Sequence, residues 1–210
     1  MRNFLLSLSL VLLVPLAACA QDVAYQEGKD YDVISPELRG RDPSKIEVLE
    51  FFWYGCGHCY NFEPLLARWK KTLADDVDFV GSPAVWRPPM DLHAKAYYTA
   101  LALDVFDSIH PAMFAAMNVD RNPLRAQADI AALFAANGVA AKDFANTFNS
   151  FGINSQMQQA EARARSAKVS GTPELLVAGK YRVTTGKAGS QAGMLKIADY
   201  LIAKERAARQ

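Results

Sequence analysis

The chain has 210 residues, of which 51% are hydrophobic and 21% are charged, and its formal net charge is +1. This length suits one α/β domain with an insertion or two small domains, and the composition is that of an ordinary globular protein. The sequence has neither a long run of one charge nor a basic stripe, so it gives no support for nucleic-acid binding.

Residues 1–20 have the order of a secretory signal peptide. A short basic start is followed by an apolar stretch over 4–16 and by small residues over 17–20, an order typical of export signals. Two cleavage sites compete: one after Ala20, and one before Cys19, where the chain resembles a bacterial lipobox. We therefore expect an exported protein, with Cys19 as a candidate for lipidation and membrane anchoring.

The first half of the remaining chain predicts a strand–helix–strand unit. An edge strand is predicted at 31–34, and a strand that is apolar on both faces, as in the centre of a sheet, at 46–53. A helix with Pro64 inside it is predicted at 57–73, and a further strand at 77–80. This order implies a parallel pair of strands with a right-handed crossover.

The second half predicts a helical segment and a return to the sheet. No strand pattern occurs between 91 and 169, and Asn122-Pro123 is a typical start of a helix. Five helices are predicted there, at 91–104, 108–117, 123–136, 141–149 and 154–168. A hairpin at 174–178 and 180–184 and an amphipathic helix at 190–209 complete the chain. We predict a sheet domain formed by 21–88 and 169–210, interrupted by a helical domain at 89–168.

The central motif is Cys56-Gly57-His58-Cys59, at the turn from the apolar strand into the first helix. Free backbone N–H groups and the helix dipole stabilise an anion at a helix start, and the thiolate is the reactive form of cysteine. Cys59 lies one turn further and can reach Cys56, as two-step thiol–disulfide exchange requires. The motif predicts such exchange, with the Cys56–Cys59 disulfide as redox group and no separate cofactor.

Other interpretations of the two cysteines remain open. A zinc site would need two more ligands, for which only His93 and His110 are available, and a copper site is also conceivable. Otherwise we expect both histidines on helix surfaces or in packing contacts. Three functions therefore compete: a dithiol oxidase, an isomerase or reductase with the same chemistry, and a lipid-anchored metal-binding module.

The chain resembles the DsbA family of periplasmic thiol:disulfide interchange proteins over about residues 25–206. The segments that carry the resemblance are 51–64, 170–173, 179–182 and 198–202. The resemblance implies a thioredoxin fold with an inserted all-helical domain, Cys56 as nucleophile, Cys59 as resolving cysteine and His58 as a thiolate-stabilising residue. It also implies a cis bond at Thr172-Pro173, facing the disulfide, where the Thr172 backbone would pair with an extended substrate segment.

Two acidic residues match positions near the family's active site. Glu50 interrupts the apolar strand six residues before Cys56, and Glu63 shares a helix face with both cysteines. A carboxyl group of raised pKa there could relay a proton to Cys59. Alternatively, Glu50 lies at an exposed strand end and Glu63 on a solvated helix face.

The resemblance also implies the partners and the compartment. The substrates would be reduced or unfolded exported proteins, the reoxidant an inner-membrane, quinone-linked protein of the DsbB type, and the site of action the bacterial periplasm, with the protein a monomer. Gly57 departs from the proline commonest in the family and matches eukaryotic disulfide isomerases, while Thr172 replaces the more usual valine. These departures bear on the balance between oxidase and isomerase.

Overall fold

The computed structural model describes residues 25–209, so the predicted signal peptide and Cys19 lie outside the described residues. A five-stranded sheet of order β1-β5-β4-β2-β3 forms its centre. The strands are β1 (Asp32–Val33), β2 (Ile46–Phe52), β3 (Val77–Pro83), β4 (Glu174–Val177) and β5 (Tyr181–Thr184). β2 and β3 are parallel and the other pairs antiparallel, which confirms the predicted parallel pair and hairpin.

β2 is the central strand that the apolar run predicted. All seven of its residues are buried, and it pairs with β3 on one side and β4 on the other. β3 continues to Pro83, opposite Phe52, three residues beyond the predicted end. Proline lacks a backbone N–H, but β3 is an edge strand, where a missing donor is tolerated.

Eight helices surround the sheet in the described part of the chain. They are α1 (Gly57–Lys70), α2 (Met90–Ala102), α3 (Phe106–Asn118), α4 (Gln127–Ala136), α5 (Ala141–Phe148), α6 (Phe151–Ser166), α7 (Thr185–Ala188) and α8 (Gln191–Ala208). The five helices predicted between β3 and β4 are all present, whereas the short α7 was not predicted. None of the described helices combines the length and apolarity needed to cross a bilayer.

Three apolar cores hold the helices to the sheet. The smallest packs Ala164 of α6 against Phe51 of β2, and the other two are larger. One joins α1 and α8 to the sheet and includes Phe62 and Leu201. The other lies among α2–α6 and reaches the end of β2 through Phe52 and Tyr54. The strand-to-helix turn carrying the cysteines follows Tyr54 directly and therefore lies where the two larger cores meet. This arrangement confirms the predicted thioredoxin fold with a helical insertion; the exact domain boundaries stay a prediction.

The predicted start of α4 at Asn122-Pro123 is wrong. α4 begins at Gln127, after Ala126 as its N-cap. The Asn122 side chain instead accepts a hydrogen bond from the Leu124 N–H (3.1 Å), and the Leu124 carbonyl contacts His93 Nε2 (3.1 Å). These contacts hold residues 122–125 as a loop, so a tertiary interaction overrides the local capping signal. α1 likewise ends at Lys70, three residues before its predicted end.

Candidate active site

Cys56 lies at the start of α1, as predicted. It is the N-cap residue, with extended backbone (φ −92°, ψ 111°), and its sulfur accepts the Cys59 N–H at 3.4 Å. The turn before it depends on Gly55, because a Cβ there would overlap the Trp53 ring. The chain therefore presents the Cys56 sulfur to free N–H groups at the positive end of the helix.

The two sulfur atoms have opposite environments. Both cysteines are free thiols in the structure; Cys56 is half-buried and Cys59 is fully buried. Hydrogen bonds lower the pKa of Cys56 from 9.0 to about 5. The hydrogen bond from the Cys59 thiol has the largest effect, followed by the one from the Thr172 side chain and by those from the Cys59 and His58 backbone N–H groups. Burial raises the pKa of Cys59 far above its ordinary value, and its hydrogen bond to Cys56 adds to this. At neutral pH the pair therefore consists of a thiolate and a thiol.

A loop from the sheet faces the Cys56 sulfur. The Thr172–Pro173 bond is cis, as the resemblance implied, and the Thr172 carbonyl oxygen lies 3.3 Å from Cys56 Sγ. The Glu174 carboxylate orders this loop by accepting hydrogen bonds from the Ser170 and Gly171 N–H groups (3.1 and 2.8 Å). Glu174 was not predicted to matter, since nothing in its neighbourhood in the sequence marks it as more than the first residue of a strand.

His58 is exposed, and its contribution in this structure comes from the backbone. Its N–H helps to lower the pKa of Cys56, and its carbonyl accepts a hydrogen bond from Gln191 Nε2 (2.5 Å) at the start of α8. The predicted effect of its imidazole stays a prediction.

Glu50 and Glu63 lie together beneath the cysteines. Glu50 is only 3% exposed, and its Oε1 has no hydrogen-bond partner among residues 25–209. Burial, and next the nearby Glu63 charge, raises the pKa of Glu50 well above its ordinary value. The expectation of an exposed strand end is therefore wrong. Glu50 also raises the pKa of Cys59, which shows that the two groups are electrostatically linked.

His110 joins this acidic pair, a role that sequence analysis missed. Its Nε2 lies 3.3 Å from Glu63 Oε2, and its Nδ1 lies 2.8 Å from the Tyr54 hydroxyl. Glu63 is therefore paired rather than free on a solvated helix face. Glu50, Glu63, Lys70 and His110 line one cavity of about 600 Å³. This cavity brings the buried Glu50 and the partly exposed Glu63 to one shared space.

His93 has a structural position. It is 1% exposed, its Nδ1 accepts a hydrogen bond from Trp53 Nε1 (2.9 Å), and its Nε2 therefore donates to the Leu124 carbonyl (3.1 Å). Burial lowers its pKa. Both nitrogens of His93, like both of His110, are engaged within the protein, which argues against their use as the missing zinc ligands.

The asymmetry of the two sulfurs determines the class of protein. A stabilised thiolate beside a buried thiol can form and release disulfides in two steps. Neither a structural disulfide nor a metal site requires such a difference between its two sulfurs. Together with the sheet topology and the loop that places the Thr172 carbonyl against the Cys56 sulfur, this defines a thiol:disulfide oxidoreductase of the thioredoxin fold.

Comparison with known proteins identifies the family. The family model of a DSBA-like thioredoxin domain matches residues 89–192. The thiol:disulfide interchange protein DsbA of Pseudomonas aeruginosa is 39% identical over 208 residues, which cover 99% of each chain. That of Burkholderia cepacia is 35% identical over 201 residues, covering 94% of this chain and 93% of the relative. The chain belongs to the DsbA family of thiol:disulfide interchange proteins.

Solved structures agree with this assignment. The crystal structure of Pseudomonas aeruginosa DsbA superposes with a TM-score of 0.85 at 40% identity, covering 88% of this chain and 96% of that one. The oxidoreductase DsbA from Xylella fastidiosa gives a TM-score of 0.80 at 35% identity, covering 87% and 98%. The predicted family, fold and oxidoreductase activity are thereby confirmed.

Proposed function

We propose that this oxidoreductase introduces disulfide bonds into reduced, unfolded exported proteins through Cys56 and Cys59. A substrate thiolate attacks Cys56 of the oxidised enzyme, forms a mixed disulfide and releases Cys59. A second substrate thiolate then attacks the substrate sulfur of that mixed disulfide and releases Cys56 as a thiolate. The substrate loses two electrons and gains a disulfide, and the enzyme is left as a dithiol.

The observation that carries the proposal is the lowered pKa of Cys56, about 5, beside a Cys59 shifted in the opposite direction. A thiol of low pKa is a good leaving group, so Cys56 departs readily from the mixed disulfide. Stabilising the thiolate also stabilises the reduced enzyme, which makes the oxidised form a stronger oxidant.

The buried acids support a proton relay to Cys59. When the substrate attacks Cys56, the leaving Cys59 sulfur becomes an anion in a buried place and needs a proton at once. Glu50 is buried, and its raised pKa favours the protonated form that can donate. In our proposal Glu50 supplies this proton, and Glu63 with His110 restores it from the cavity that they line with Glu50.

The remaining partners are proposed from family membership and from the first residues of the chain. The protein acts in the bacterial periplasm as a monomer, and a DsbB-type quinone-linked membrane protein reoxidises Cys56–Cys59. The Thr172 backbone pairs with an extended substrate segment beside the sulfur. The pattern around Cys19 supports a lipid anchor.

The test is the oxidation of a reduced, unfolded protein. The oxidised enzyme should transfer one disulfide per molecule, and Cys56→Ala should abolish the transfer. Cys59→Ala is the matched variant: it keeps Cys56 but cannot form the Cys56–Cys59 disulfide, so it too should transfer none to a reduced protein. Its Cys56 thiolate should instead attack the disulfide of an oxidised substrate, release one substrate thiolate and stay in a stable mixed disulfide, because no resolving thiol is present. Retained disulfide transfer by Cys56→Ala would refute the assignment of Cys56.

An isomerase or reductase is the second candidate, favoured by Gly57 between the cysteines. The dipeptide between two active-site cysteines tunes the stability of the thiolate and hence the direction of exchange. Equilibration with a glutathione redox buffer separates the two functions: a potential near that of thioredoxin, about −270 mV, would favour reduction, and a markedly higher one would favour oxidation.

A further inference from the structure

A second groove borders the active site on the side of the helical insertion. It has a volume of about 600 Å³, and its lining includes Trp53 and Gly55 from the turn that leads into Cys56. Arg87, from the loop between β3 and α2, and Arg121 and Arg125, from the loop between α3 and α4, complete its walls. A substrate segment that lies in this groove while one of its cysteines is at Cys56 therefore passes close to three arginines.

These arginines are exposed and unpaired within residues 25–209. None of Arg87, Arg121 and Arg125 donates a side-chain hydrogen bond or forms an ion pair there, whereas other arginines of the described chain do. No acidic residue lines the groove in this part of the chain. A guanidinium group binds a carboxylate with two parallel hydrogen bonds, so three such groups around one groove favour an acidic ligand.

The loop that carries two of these arginines is held in place. Arg121 and Leu124 have left-handed backbone conformations (φ 57° and 46°), which non-glycine residues adopt only where surrounding contacts enforce them. Those contacts include the Asn122 N–H, bonded to the Ala116 carbonyl (2.8 Å). A further contact is His93, whose imidazole bridges the Leu124 carbonyl and the Trp53 ring N–H. The arginine loop is thus tied to the active-site turn and needs little ordering when a ligand binds.

The floor of the groove suits the rest of a peptide. Trp53, Met90 and Met117 give it an apolar surface, and thioether and aromatic side chains adapt to varied aliphatic partners. An apolar floor with a basic rim matches an extended segment that carries Asp or Glu among aliphatic residues.

We propose that this groove binds acidic residues that flank a cysteine of the reduced substrate, so that the enzyme oxidises such cysteines in preference to others. The proposal rests on the proposed function, since the bound segment must be the one that exchanges disulfides with Cys56. The groove should increase the rate at which the substrate associates with the enzyme in a productive orientation, because charges at the rim of an interface mainly change the association rate.

Three synthetic dithiol peptides test this inference. They share length and cysteine spacing and carry Glu, Gln or Lys on both sides of the first cysteine. The second-order rate of oxidation by the oxidised full chain is measured at low salt. Each rate is divided by the rate of the same peptide with the neutral bis(2-hydroxyethyl) disulfide, because flanking charge itself changes thiol reactivity. We expect the normalised rate for the Glu peptide to exceed that for the Gln peptide by about fivefold, with the Lys peptide slowest.

Variants locate the effect. Arg87→Gln/Arg125→Gln should bring the Glu-to-Gln ratio close to one. Arg68→Gln/Lys142→Gln removes the same charge from exposed positions that do not line the groove, and it should leave the ratio unchanged. High salt should reduce the ratio in the unmodified enzyme, a readout that does not depend on any variant folding.

Equal normalised rates for the Glu and Gln peptides in the unmodified enzyme would overturn the inference. It would also be overturned if Arg68→Gln/Lys142→Gln lost the preference for the Glu peptide as completely as Arg87→Gln/Arg125→Gln. Failure to oxidise any of the three peptides is a different result, because it would overturn the proposed function itself.

Discussion

Lowering the pH should decrease the free energy of unfolding of the reduced protein, because it protonates the Cys56 thiolate. The pKa of this thiol is about 5 in the folded protein against an ordinary value of 9.0. Because the folded-state pKa is depressed, the stabilisation is present in full above pH 9, declines below it and is lost as the pH falls through 5. Between pH 7 and pH 4 linkage sets an upper limit of about 2.7 kcal/mol, and solvent screening at this half-exposed sulfur reduces the expected loss to about 1 to 1.5 kcal/mol.

The assay is urea unfolding of the reduced protein and of Cys56→Ala at both pH values, with a phosphine reductant present. Other groups titrate in this range, and the difference between the two proteins cancels their contribution. Cys59→Ala is an intermediate control: it keeps Cys56 but removes the hydrogen bond that lowers its pKa most, so its loss should be smaller. Equal losses of stability in the unmodified protein and in Cys56→Ala would refute the reasoning.

Three further changes test separate parts of the site and the fold. Thr172→Val should raise the pKa of Cys56 by about one unit, read from the pH dependence of alkylation, because a hydrogen bond to a charged group is worth about 1.5 kcal/mol; an unchanged pKa would contradict this. Glu50→Gln, which cannot relay a proton, should slow disulfide transfer at least about tenfold without slowing alkylation of the reduced enzyme, and an unaltered transfer rate would exclude the relay. Gly179→Ala should cost about 3 to 5 kcal/mol in denaturant unfolding, since φ is +71° and a Cβ would overlap a backbone carbonyl oxygen. Gly138→Ala, with φ +85° but open space around it, should cost only about 1 to 2 kcal/mol, and equal costs would show that the overlap is unimportant.

Features encoded by neighbouring residues could be predicted from the sequence. The apolar run before Cys56 marks a buried central strand, and the cysteine spacing places both sulfurs on one helical turn. The start of α4 was mispredicted because Asn122-Pro123 is a strong local signal, while the competing contact comes from His93 on another helix. Local patterns carry no information about such a contact.

The polar cluster beneath the cysteines shows the same limit. Glu50, Glu63 and His110 belong to three different elements, and no spacing in the sequence relates His110 to either acid. The burial of Glu50 was also open, since a single acid in an apolar strand can lie at an exposed end or inside a site. The burial of Glu50 depends on side chains that α1, α2 and α3 bring together around the end of β2, which no local pattern records.

The most direct test of the account is the rate of alkylation of Cys56 in the reduced protein as a function of pH. Cys59 is fully buried and its pKa is raised, so it should not contribute to the signal. The account predicts a reactive thiolate with a midpoint near pH 5. A midpoint near 9.0, the ordinary value for this thiol, would contradict it.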